Sequence, residues 1–192
     1  MKRSTIEKAF AGLVLFLSTG ALLPLLLVGD QADRGNPESS IVIRVVWALI
    51  YLITVGLLAR RWKNTLWLAT RDKALLGLSA VAILSALWSA VPDVTLRRGI
   101  ALMGTTMVGV LLAQRFTFDE VISVAAWALG AAAVLSFVFA IAVPELGIMS
   151  GKHAGAWRGV FTHKNELGQR MAFGAIVFLL THRRKHRWIR VL

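Results

Sequence analysis

Residues 121–143 read VISVAAWALGAAAVLSFVFAIAV, a run without a single Asp, Glu, Lys, Arg or His. A helix rises about 1.5 Å per residue, so this run is long enough to cross roughly 30 Å of hydrocarbon. Within such a layer every backbone amide needs an internal partner, which only a helix or a closed barrel supplies. Ala, Val and Leu fill the run and no period-two alternation is present, so it reads as a helix and not as a barrel strand.

Similar blocks recur on both sides of it. Behind it lie Phe10–Val28, Ile41–Ala59, Ala74–Ser89 and Gly99–Ala113, and ahead of it Glu166–Thr181. The segments between them change character sharply: GDQADRGNPESS, RRWKNTLWLATRDK, VPDVTLRR, QRFTFDE and a longer stretch over 144–165. The expected architecture is all-α, a polytopic membrane helix bundle of about six transmembrane helices in one domain over 1–192. Composition agrees. Only 17% of residues are charged and mean hydropathy is +0.67, where a soluble domain carries about a quarter charged residues.

Charge orients the spans, because short cytoplasmic loops collect Lys and Arg. Lys2, Arg3 and Lys8 lie at the amino terminus. Arg60, Arg61, Lys63, Arg71 and Lys73 follow the second span, and Arg183, Arg184, Lys185, Arg187 and Arg190 form the tail. An even number of spans puts all three clusters on one side, so both termini are expected in the cytoplasm. The first outer segment instead carries Asp30, Asp33 and Glu38 against Arg34. Trp62, Trp67 and Trp188 then fall at the inner interface and Trp88 and Trp157 at the outer one, as an aromatic belt requires. The first block is longer than a signal-peptide core and has no small-x-small cleavage site behind it, so it reads as a retained anchor. Net charge is +12, but most of it flanks spans, which argues for topology and anionic lipid and against nucleic acid. With no Cys, thiolate chemistry and disulfides are excluded.

Some cations break the inside bias. Arg97 and Arg98 sit at the outer mouth of the fourth span, and Lys152, Arg158, Lys164 and Arg170 lie in or just after the last outer loop. Two readings stand: snorkelling to lipid phosphates, or gripping a bound diphosphate headgroup, for which the planar guanidinium fork is suited. The second takes the larger share. The last outer loop, GKHAGAWRGVFTHKNELGQR, also offers His163, Lys164, Asn165 and Glu166. An imidazole titrates near neutral pH, which makes His163 the candidate proton carrier. Asn165 is either a donor to an oxyanion or sugar hydroxyl, or an ordinary N-cap with Glu166 in the first turn; both roles can coexist. His153 reads as a loop residue. No metal site is expected, since His153 and His163 lack ligand spacing and the His182 and His186 pair lies among cations. No Walker loop, dinucleotide fingerprint or HExxH is present.

The segment WRGVFTHKNELGQ resembles the Arg-Gly-x-Phe-x-His-x-Asn-x-x-Gly signature of the O-antigen ligase and polymerase superfamily, in its exopolysaccharide-polymerase branch. LSALWSAVPDVTLRRGIALMGTTMVGVLLAQRF is similar to that family's Trp-Ser-x-x-Pro segment, followed by paired Arg and an apolar span. The two stretches have the family's order and separation, and the resemblance covers about Leu75 to Leu180. It implies a metal-independent, cofactor-free glycosyltransferase of the bacterial inner membrane. Such enzymes transfer glycan from an undecaprenyl-diphosphate-linked saccharide at the periplasmic face, to another lipid-linked repeat or to lipid A core. By position, Arg97, Arg98 and Arg158 would bind the donor diphosphate, with His163, Lys164 and Asn165 shaping the site. Members carry roughly twice as many spans and a large periplasmic loop with further Arg and a catalytic His. The chain therefore matches the amino-terminal half alone, and little transferase activity is expected of it by itself. Two other classes remain: a non-catalytic membrane subunit organising other polysaccharide-assembly proteins, which a pull-down would reveal, and a transporter component. The transporter ranks last, because the interiors of spans one, three, four and five are almost free of charge.

Overall fold

The computed structural model describes residues 5–23, 25, 40–71 and 73–189. The end of the first expected span, the acidic segment with Asp30, Asp33, Arg34 and Glu38, and Lys2, Arg3 and Arg190 lie outside the described residues. The side chains of Arg71, Lys152 and residues 183–189 do too. The described residues are all-α apart from one isolated antiparallel bridge between Ile148 and Trp157. They divide into two compact units, one comprising residues 1–45 and 118–192 and the other 46–117.

In the first unit, α1 spans Thr5–Ser18. It stops there for a local reason. The Ser18 hydroxyl donates to the Val14 carbonyl at 2.8 Å, the Thr19 hydroxyl to Phe16 O at 2.7 Å, and Gly20 takes a left-handed φ of 79°. Side-chain back-bonding followed by a left-handed Gly is a helix C-terminus. The helix therefore ends inside the block expected as Phe10–Val28.

Most of α2 (Ile41–Ala59), with α3 (Trp62–Arg71), α4 (Lys73–Leu84) and α5 (Pro92–Arg115), forms the second unit. A 3-10 turn, Ser85–Leu87, follows α4. The remaining elements return to the first unit: α6 (Phe118–Ala142), the short α7 (Pro144–Gly147), a 3-10 turn at Gly151–His153, and α8 (Lys164–Ile189). Three of these helices, α2, α5 and α6, are long and apolar enough to cross a membrane. α5 begins well before the expected Gly99 because Pro92 at its first position is pre-set for a helix and Asp93 favours its first turn. α8 runs past the expected Thr181 into the basic tail. Its purely apolar part, 171–180, amounts to about 15 Å of rise.

The packing is that of a membrane protein. On α6 the buried residues are Ala126, Ala128, Leu129, Ala132, Ser136 and Ala140, mostly small. Trp127, Val134, Phe137 and Ile141 face outward, Trp127 with 81% of its surface exposed. Small residues inside let helix backbones approach, and large apolar residues outside suit lipid. α1 and α8 both lie against α6. Ala126 and Leu129 meet Val177 on α8, and Ala132 joins Ala21, Val160 and Phe161 in a core that Phe16, Leu22, Leu167 and Met171 surround.

In the second unit α4 packs along α5. Tyr51 donates to Ala101 O at 3.3 Å, tying α2 to α5. RRWKNTLWLATRDK, read from the sequence as a loop, is largely helix α3. Its Thr65 hydroxyl bonds Leu58 O at 3.1 Å and accepts from Gln114 Nε2 at 2.9 Å, which fastens one face of α3 to α2 and α5.

Candidate functional site

The segment between α6 and α8 is a built structure, not a slack loop. After Val143 the chain makes the one-turn α7. It then folds back on itself: Met149 N donates to Ala156 O at 2.8 Å and Gly155 N to Met149 O at 3.2 Å, beside the Ile148–Trp157 bridge. Trp157 is set edge-on to Phe137 of α6 at 6.1 Å between ring centres.

Arg158 holds this fold together. It is 4% exposed, and its backbone N–H donates to Gly147 O at 2.9 Å. Its Nε donates to Leu146 O at 2.8 Å and Nη2 to Glu145 O at 3.2 Å. These are the open carbonyls at the end of α7. Hydrogen bonds to a charged group contribute about 1.5–3 kcal/mol each, and breaking them would leave a buried cation uncompensated. The fork that the sequence offers to phosphate is therefore committed in good part to the backbone.

The next residues are anchors. Gly159 has φ 61°, and a side chain there would collide with Ser136 of α6. Val160 and Phe161 are fully buried. Val160 accepts from Leu22 N at 2.8 Å and its own N–H donates to the Ser136 hydroxyl at 3.3 Å. Thr162 donates through its hydroxyl to Glu166 Oε2 at 2.7 Å, and its N–H reaches the same oxygen at 3.3 Å. The carboxylate of the first helical turn thus reaches back to the chain entering α8, next to the favourable end of the helix dipole. Arg170, one of the cations expected on the outer side, donates Nε to Thr19 O at 2.8 Å and so caps the end of α1. Among the described residues no buried side-chain nitrogen or oxygen lacks a hydrogen-bond partner.

What remains facing outward is a polar cluster at the start of α8. Lys164 Nζ lies 3.2 Å from His153 Nδ1, and the rings of His153 and His163 stand edge-on at 5.7 Å. His163, whose carbonyl accepts the first α8 bonds from Glu166 and Leu167, is the N-cap; its Nδ1 accepts from Asn165 N at 3.1 Å. Asn165 is thus not the cap, and its side chain is exposed. The partners assign the tautomers. An ammonium and a backbone N–H can only donate, so Nδ1 is the acceptor on both rings and Nε2 carries the hydrogen in each neutral imidazole. Together, two Nε2–H groups and the Lys164 ammonium make a set of donors that suits an anion rich in oxygen. In this tautomer the Nε2–H of His163 is a hydrogen-bond donor.

His153 is the member that sequence reading set aside. No periodicity links it to His163; only the turn between Gly151 and Gly155, which reverses the chain, brings them together. Arg97 and Arg98 lie on the exposed side of the first part of α5, in the other unit. Among the described residues no three His, Cys, Asp or Glu side chains gather as a metal site would require.

Fold and cluster together define a class, an all-helical membrane protein carrying hydrogen-bond donors at a helix-capped loop. No family model, no curated protein and no solved structure matches the chain.

Proposed function

We propose that the chain is the donor-binding part of a glycan transferase of the O-antigen ligase and polymerase superfamily, in the exopolysaccharide branch. It holds an undecaprenyl-diphosphate-linked saccharide at the periplasmic face of the bacterial inner membrane, in a six-span arrangement with both termini cytoplasmic. One observation carries the reading: His153, His163 and Lys164 converge within the segment that bears the family-like signature. The leaving group in such a transfer is a lipid diphosphate, and donors aimed at its oxygens stabilise the charge that develops there. Arg158 serves as a positioning residue that keeps the loop closed beneath the cluster. The family resemblance also implies Arg97 and Arg98, exposed on α5 in the other unit, as phosphate-binding cations.

Binding of undecaprenyl diphosphate to the purified, detergent-solubilised chain tests the reading. Lys164→Ala and His163→Ala are each expected to weaken it about tenfold, the loss of one charge-assisted hydrogen bond. Arg184→Ala, in the cytoplasmic tail, should leave it unchanged. Equal binding by all three variants would reject the outer-site assignment.

A further inference from the structure

Among the described residues, one side of α3 is largely exposed. Thr65 bonds to α2 and α5 and Leu68, one turn on, is half-buried, whereas Trp62, Leu66 and Trp67 are exposed by 59%, 54% and 61%. At helical spacing these three fall on one broad side, beside Lys63 and Thr70. The Lys63 ammonium sits over the Trp62 ring at 5.8 Å from its centre. Arg60, Arg61, Trp62, Lys63 and Asn64 line an open cavity of about 290 Å³.

The position of α3 says what covers this face. The apolar α2, able to cross a membrane, ends at Ala59, directly before Arg60. The apolar α4 leaves directly after α3, from Lys73. A ten-residue helix held between two apolar helices lies at the membrane boundary, where Trp anchors and Lys or Arg snorkel toward headgroups. We propose that α3 lies in the plane of the membrane and binds anionic phospholipid, with Arg60, Arg61 and Lys63 around a phosphate-bearing headgroup and Trp62, Leu66 and Trp67 in the acyl boundary. The occupant is a lipid, because a soluble phosphate would leave the two indoles and Leu66 in water. The inference is independent of the glycan-transfer reading, since none of its residues belongs to the cluster at α8.

The chain has no Cys, so Thr70→Cys gives a single site for a bimane fluorophore on the exposed side of α3. The labelled full chain is reconstituted into phosphatidylcholine nanodiscs containing increasing fractions of doxyl-labelled phosphatidylglycerol or doxyl-labelled phosphatidylcholine. Half-quenching is expected at a clearly lower fraction of the anionic lipid. Arg60→Gln with Lys63→Gln should raise that fraction about fivefold per cation removed. Arg60→Lys with Lys63→Arg should restore it, and Arg183→Gln with Arg184→Gln should leave it unmoved. Quenching by neither lipid would mean that protein covers this face and would overturn the proposal. Equal quenching by both lipids would remove the anionic preference. Competition by inorganic phosphate at constant ionic strength would assign the cavity to a soluble anion instead.

Discussion

Gly159 shows how a short motif divides into different physical tasks. Its φ of 61° and its contact with Ser136 leave no room for a Cβ, so Gly159→Ala is expected to cost roughly 1–3 kcal/mol. That should lower the thermal midpoint in detergent by several degrees. Gly168, on α8 with open space around it, is the control: Gly168→Ala should be neutral or slightly stabilising. An equal loss in both variants would mean that the Gly159 conformation is not what limits stability. Of the residues that gave the sequence its family likeness, Arg158, Gly159 and Phe161 serve as anchors, while His163 caps α8 and Asn165 is exposed in its first turn. The residue types were legible in the chain. Their division was not, because whether an Arg faces a ligand or a carbonyl depends on what folds against it. Two of the Arg158 bonds go to carbonyls of α7, twelve and thirteen residues away.

At the level of helices, apolar blocks located the long elements well and their ends poorly. Ser18, Thr19 and Gly20 spell a helix stop that the apolar run on both sides conceals. Pro92 spells a start that an apolar run does not include, because Asp93, Arg97 and Arg98 follow it. α3 is hidden for another reason: ten residues with three charged or amide side chains look like a loop until Thr65 and Leu68 are seen to share a face. The small-residue face of α6 gives this scale its test. Ala132 is fully buried against Val160 and Phe161, so Ala132→Leu overpacks the contact and should destabilise by about 1–3 kcal/mol. Val134→Leu, on the outward face, should change stability by less than about 0.5 kcal/mol. Detergent unfolding curves of the two variants compare them directly, and a larger loss at 134 would reverse the assignment of inner and outer faces.

For the whole molecule, hydropathy and charge carried the reading furthest. The proposed arrangement puts Ala154 outside and Asn64 inside, and both are exposed. On this naturally Cys-free chain, Ala154→Cys should react with a membrane-impermeant maleimide in intact cells, provided the outer membrane is permeabilised. Asn64→Cys should react only after the inner membrane is opened. Labelling of both from outside, or of neither, would overturn the six-span arrangement.

The bond from Arg170 to Thr19 joins residues 151 positions apart, and the Leu22–Val160 bond spans nearly as far. The chain is made from its amino end at about 5–20 residues per second. The end of α1 therefore emerges roughly eight to thirty seconds before its cap exists. The apolar side of α1 waits for residues 118–142 and the carbonyl of Thr19 for Arg170, while residues 46–117 already hold every segment of their own unit. Synthesis thus imposes an order on assembly: the inserted unit can finish first, and the unit built from the two ends of the chain closes last, around a helix that has been waiting since the start.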